Sequence, residues 1–227
     1  MIEDFVADYN VVDHFLRKAL HLEDNVPFAS LLKQYSQQNQ GWRDADLLGT
    51  AAKLRNLILH SKTGPYSYPA TPSPELAKNL KLCLNRLTNP AMVIPRFQRH
   101  VERISSEDNL ATVLKLIRQR DYSQFPVYEN GRFRGLLTEN GITRWLAHHV
   151  ATKLSLVDLE EIHATEVIEN EEKRTNCLFV AQDTRVDDVV GSFSSGELLE
   201  AVLVTASGKD SEVLLGIATR WDIIRIA

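Results

Sequence analysis

Gly135-Leu136-Leu137-Thr138 and Gly216-Ile217-Ala218-Thr219 are two copies of one short pattern. Three residues past each threonine stand Gly141 and Asp222. Ile142 then matches Ile223, and Arg144 matches Arg225. An internal copy constrains the fold strongly. A single supersecondary unit cannot bury its own apolar face, so two like units are expected to bury theirs on each other.

The surroundings of the two copies repeat as well. Leu110, Val113, Leu114 and Ile117 fall on one face of a helix, and Val186, Val189, Val190 and Phe193 follow similar spacing. Phe125 to Tyr128 reads as a strand, Asn130-Gly131 as a tight hairpin turn, and Phe133 to Leu137 as the returning strand. In the second copy the strands are Ala201 to Thr205 and Val213 to Ala218, joined by the longer turn Ser207 to Ser211. A helix is expected after each junction, from near Glu139 and near Arg220.

The pattern of glycine, two apolar residues, threonine, two variable residues and aspartate resembles the CBS family, whose repeats are βαββα units. Ser123-Gln124-Phe125-Pro126-Val127 before the first junction also suits that family. The resemblance covers residues from about 95 to 227 and implies a ligand-sensing module, with no catalysis of its own. It further implies a cleft between the repeats that holds an adenosine nucleotide (AMP, ADP or ATP) or a related adenosyl compound. The junction glycine would let the strand bend into the helix and permit close approach. The helix N-terminus would favour a phosphate. Carried over residue by residue, Thr219 and Asp222 form the complete pair, with Asp222 accepting ribose hydroxyls. Arg220 would meet a phosphate, and Val202 and Val204, with Leu203 between them, would line the purine slot. The first copy has Thr138, but Gly141 replaces the aspartate, and Asn140 sits one position early, about 100° away on a helix. One competent site and one degenerate site are expected. The same Thr219 and Asp222 would equally serve as a plain helix cap.

Residues 1–90 read differently. Phe5, Tyr9, Val12 and Leu16 repeat at helical spacing within a helix over about 3–22. Pro27 suits the start of a second helix carrying Phe28, Leu31, Leu32 and Tyr35, ended by Gln37-Gln38-Asn39-Gln40-Gly41. A third is expected from about Asp44 to His60. After the prolines 65, 69 and 72, Ser73-Pro74 opens a fourth that runs to about Thr88. Asn89-Pro90 marks a boundary. The expected fold class is therefore α+β: a four-helix bundle over 1–90, then two βαββα repeats over 91–150 and 151–227, packed as a pair.

The end of the third helix carries Arg55-Asn56-Leu57-Ile58-Leu59-His60. Arginine, a polar residue and histidine in this spacing resemble the HEPN family of helical bundles, many of them metal-independent ribonucleases. The resemblance implies a homodimer in which each protomer supplies an arginine and a histidine. Arg55 would clamp phosphate, His60 would move the proton, and Asn56 would orient the histidine or the RNA substrate. Lys53 and Lys62 add local positive charge. Against this, Arg and His near a helix C-terminus are favoured by the dipole alone. A non-catalytic dimerisation or interaction bundle is the favoured expectation, and a nucleotide-regulated endoribonuclease the alternative.

Charge narrows the options. Residues 1–90 hold 10 Lys and Arg against 9 Asp and Glu, and the rest holds 16 against 21. With a formal net charge of -4, the chain is no general nucleic-acid binder, and a polyanion site must be local. Cys83 and Cys177 sit in apolar runs and read as buried free thiols. The acidic start Met1-Ile2-Glu3-Asp4 is unlike a signal peptide, and a cytoplasmic location away from membranes is expected. The histidines, including the adjacent His148-His149, show no metal-ligand spacing, and no metal or resident cofactor is expected. Glu160-Glu161 and the run Glu169 to Glu172 read as solvated faces, and Trp145 and Trp221 as core. No phosphate-binding glycine loop or nucleophile elbow occurs.

Overall fold

The computed structural model describes residues 1–39, 42–61, 64, 67–152, 158–169, 176–195 and 198–226. Gln40, Gly41, Lys62, Pro65 and residues 170–172 of the acidic run lie outside them. The chain divides into two compact units: Met1–Ala91 with Arg185–Ser195, and Met92–Thr184 with Gly196–Ala227.

The first unit is helical. It holds α1 (Ile2–Leu20), α2 (Phe28–Gln38), α3 (Ala45–His60) and α4 (Pro74–Thr88). Helix α1 buries Phe5, Tyr9, Val12 and Leu16, one residue per turn on one face. It stops at His21, whose left-handed backbone (φ 53°) turns its N–H back to the carbonyls of Arg17 and Lys18. Pro27 is the N-cap of α2, one position before the helix proper. Helix α4 begins where Ser73 Oγ accepts the Leu76 N–H at 3.1 Å, with Pro74 at the first position, where its missing N–H costs nothing. The four helices share one core that includes Leu31, Leu48, Ala51, Ile58, Leu80 and Cys83. Each large apolar side chain fully buried there contributes about 1.5–3 kcal/mol.

The second unit opens with the short α5 (Val93–Arg96), followed by β1 (Ile104–Ser105), α6 (Leu110–Arg120), β2 (Gln124–Glu129), β3 (Arg132–Thr138), α7 (Glu139–Thr152) and α8 (Ala164–Glu169). Then come β4 (Cys177–Ala181), α9 (Val186–Ser194), β5 (Ala201–Thr205), β6 (Gly216–Thr219) and α10 (Arg220–Ile224), of which α9 falls in the first unit. The βαββα order thus occurs twice. Each copy has a three-stranded sheet, β1-β2-β3 and β4-β5-β6, with the first pair parallel and the second antiparallel. The β2–β3 hairpin turns through Asn130 (φ 49°) and Gly131 (φ 78°), the double left-handed geometry this dipeptide favours.

The junction glycines permit close approach. Neither Gly135 nor Gly216 has a positive φ. A β-carbon on Gly216 would lie 2.2 Å from the carbonyl oxygen of Phe97, and one on Gly135 would lie 2.9 Å from Ile168 Cγ2. The segment before β1 runs against β6, where Gln98 bridges to Gly216 and the Arg99 N–H reaches the Leu215 carbonyl at 3.4 Å.

Candidate functional site

The β6–α10 junction puts Thr219 and Asp222 together. The Thr219 N–H and hydroxyl both donate to Asp222 Oδ2, at 2.8 and 2.9 Å, and the pair forms a capping box. A third group joins them. Arg99 donates from Nη2 to Oδ2 at 2.5 Å and from Nη1 to Oδ1 at 3.3 Å. Burial pushes the Asp222 carboxyl up, but the hydrogen bonds from Arg99 and Thr219 outweigh it and hold the group below the ordinary carboxylate range.

These residues line a cleft of about 290 Å³. Its walls come from three places: Arg99 to Glu102 before β1, Asp121 to Gln124 entering β2, and Ile217, Thr219, Trp221, Asp222 and Arg225 around α10. The volume sits at the lower end of small-molecule sites, which run from roughly 300 Å³ upward. Val101 and Ile217 supply an apolar wall. Arg99 and Arg225 supply cationic groups, His100 supplies an imidazole, and Glu102, Asp121 and Asp222 supply acids. Such a cleft can take a flat, partly apolar molecule bearing hydroxyls and an anionic group.

Several expected residues stand elsewhere. Val202 and Val204 are fully buried in β5 and do not line the cleft. Successive side chains alternate faces in a strand. Leu203 is the residue that shares a core with Val101 and Ile217, so its two neighbours lie on the opposite face. The Arg220 guanidinium donates to the Leu199 carbonyl at 3.0 Å and is not among the cleft residues. The N-terminus of α10 offers little to a phosphate: the helix has only five residues, and its first turn is closed by Thr219 and Asp222. Trp145 is core, 1% exposed and stacked on His149 at 4.0 Å between ring centroids. Trp221 is 69% exposed at the cleft. Arg99 carries no motif in the sequence and was not signalled by it.

In the first copy, Thr138 Oγ1 accepts the Gly141 N–H at 2.9 Å, an N-cap for α7, and Asn140 is exposed. In the helical unit, Arg55 lies over the Tyr9 ring, 5.7 Å from its centroid, and donates to Asn56 Oδ1 at 3.3 Å. His60 is exposed at the end of α3. Arg55 and His60 are five residues apart on one helix, about 140° around it. Among the described residues, no three His, Cys, Asp or Glu side chains are placed to hold a metal ion, and no helix is long and apolar enough to cross a membrane.

Residues 97–148 match the CBS domain family. No curated protein matches the chain. Among solved structures, the CBS domain of a CBS domain containing membrane protein from Sphaerobacter thermophilus is similar over 66% of this chain and 96% of that one, with 17% identity and a TM-score of 0.50. That likeness is one of fold. A conserved CBS domain protein of unknown function from Thermoplasma acidophilum matches over 61% of this chain and 70% of its own, with 19% identity and a TM-score of 0.46. A CBS domain pair in complex with 5′-methylthioadenosine and S-adenosyl-L-methionine matches over 60% of this chain and 95% of its own, with 21% identity and a TM-score of 0.43. The CBS match at 97–148 falls on the first βαββα run, and the same element order follows it once more.

Proposed function

We propose that the chain is a regulatory ligand-sensing protein whose CBS module binds an adenosine nucleotide or adenosyl compound in the Thr219/Asp222 cleft. One observation carries the reading: Asp222 stands on the wall of a nucleoside-sized cleft that also holds an apolar wall and cationic groups. A carboxylate can accept both hydroxyls of a ribose, and Val101 and Ile217 give the base an apolar surface. Residues 91–150 and 151–227 are the two repeats in this proposal. Only the second is equipped for a sugar, because Gly141 offers no side chain to one.

The helical residues 1–90 take a dimerisation or partner-binding role, giving a homodimer that reports ligand occupancy. RNA cleavage by Arg55, Asn56 and His60 is the competing role. It is not favoured by the contact of Arg55 with Asn56, which holds the guanidinium against its own helix.

The test is thermal unfolding of the full chain titrated with AMP, ADP, ATP, 5′-methylthioadenosine and S-adenosyl-L-methionine. A ligand that binds only the folded protein raises stability with its concentration over Kd. At least one compound should raise the midpoint in wild type and not in Asp222→Ala. No shift with any of them would remove the adenosine reading.

A further inference from the structure

The carboxylate that the proposed ligand needs is already held by a side chain of the chain itself. Arg99 meets Asp222 with two N–H groups, the number of hydroxyl donors a ribose offers. Both therefore compete for the same pair of oxygens. The Arg99 side chain is 42% exposed and that of Asp222 is 21% exposed, so the guanidinium has open space beside it.

The backbone beneath Arg99 is fixed. Its N–H bonds to Leu215, Gln98 bridges to Gly216, and Phe97 lies on Gly216 too closely to admit a β-carbon. The long side chain of Arg99 can yield without moving that backbone. When it does, a guanidinium is left in the cleft without its anion. A neutral nucleoside offers only its uncharged 5′-hydroxyl in exchange. A nucleoside 5′-phosphate offers a planar-fork partner and replaces one ion pair with another. The five-residue α10, closed by its own cap, gives the phosphate no competing site.

Resting on the adenosine reading above, we propose that Arg99 is the selectivity residue of the cleft. It surrenders Asp222 to the ribose and takes the 5′-phosphate, so that the site accepts nucleotides and turns nucleosides away.

The experiment is isothermal titration of the full chain with adenosine and with AMP, in wild type, Arg99→Met and Arg99→Lys. Wild type should bind AMP at least about tenfold tighter than adenosine, and the preference should weaken as salt rises. In Arg99→Met the preference should shrink at least about tenfold, adenosine gaining and AMP losing. Arg99→Lys keeps the charge without the fork and should fall between, and it serves as the test if the methionine variant fails to fold. The same preference in wild type and variants would overturn the role of Arg99 and leave the adenosine reading standing. Failure of both compounds to bind wild type and variants at millimolar concentration would overturn this inference, while the adenosine reading falls only if ADP, ATP, 5′-methylthioadenosine and S-adenosyl-L-methionine fail as well.

Discussion

The guanidinium of Arg99 lies along the carboxylate of Asp222, across 123 positions of sequence, with Nη2 and Nη1 at 2.5 and 3.3 Å from the two oxygens. The contact ties the segment before β1 to α10. It makes Asp222 a shared resource, used by a cap, an ion pair and the proposed ligand.

Asp222→Ala should abolish nucleotide binding and leave the protein folded. An ion pair this open to water contributes at most about 1 kcal/mol, and loss of a cap costs about 0.5–2 kcal/mol. Those costs are modest beside the core of the unit. Titration calorimetry and thermal unfolding on the same samples check both halves. Equal affinity in the variant would defeat the role given to Asp222.

The depressed carboxyl of Asp222 sets a sign for pH. Its pKa is lower folded than unfolded, so the unfolded chain binds more protons in that range. The stabilisation is present above the ordinary carboxylate value of about 3.9 and is lost as pH falls through the folded value. Wild type should therefore exceed Asp222→Asn in stability at pH 7, and the gap should close in strong acid. A gap that widened on acidification would contradict the geometry.

Two glycines should respond to alanine with opposite signs. Gly216→Ala drives a β-carbon to 2.2 Å from the Phe97 carbonyl oxygen, where backbone must shift, and should cost about 1–3 kcal/mol. Gly49→Ala sits within α3 with Leu32 Cδ1 at 3.9 Å, an ordinary contact, and should gain about 0.5–1 kcal/mol. Urea denaturation of the two variants checks the pair.

What the sequence told in advance follows from range. The Thr219–Asp222 cap is local, so its spacing in the sequence was enough to place it at a strand–helix junction. The Arg99 contact is not local and follows no spacing rule. Facing in β5 was also unreadable. All five residues are buried, so the run Ala201 to Thr205 shows no alternation to say that Leu203, and neither valine, packs with Val101 and Ile217. Trp145 stands seven residues past Thr138 and Trp221 two past Thr219, so the pair do not correspond. Trp145 is 1% exposed, while Trp221, at the position of exposed Asn140 in the first copy, is 69% exposed.

The thiols offer a check on burial. Desolvation pushes the Cys177 thiol up to about 12 and raises that of Cys83 further, with Asp44 beside it adding to the shift. At pH 8 roughly one thiol in ten thousand would be ionised at a pKa near 12, and the thiolate is the reactive form. Neither cysteine should react with a thiol reagent in the native protein over minutes. Both should react at once in denaturant. Rapid native labelling of Cys83 would mean that the core formed by α1 to α4 opens readily.

His60 gives the last and most direct test of the helical half. A ribonuclease site needs an arginine and a histidine around one phosphate. Within one chain these two point about 140° apart on α3, and Arg55 is turned onto Tyr9 and Asn56. A second protomer would have to supply the missing half, and Arg55 would have to leave its present partners. We therefore expect wild type and His60→Ala to leave an RNA substrate equally intact, with or without AMP. Cleavage by wild type that disappears in His60→Ala would establish the catalytic alternative. Cleavage that survives in the variant would remove His60 as its agent.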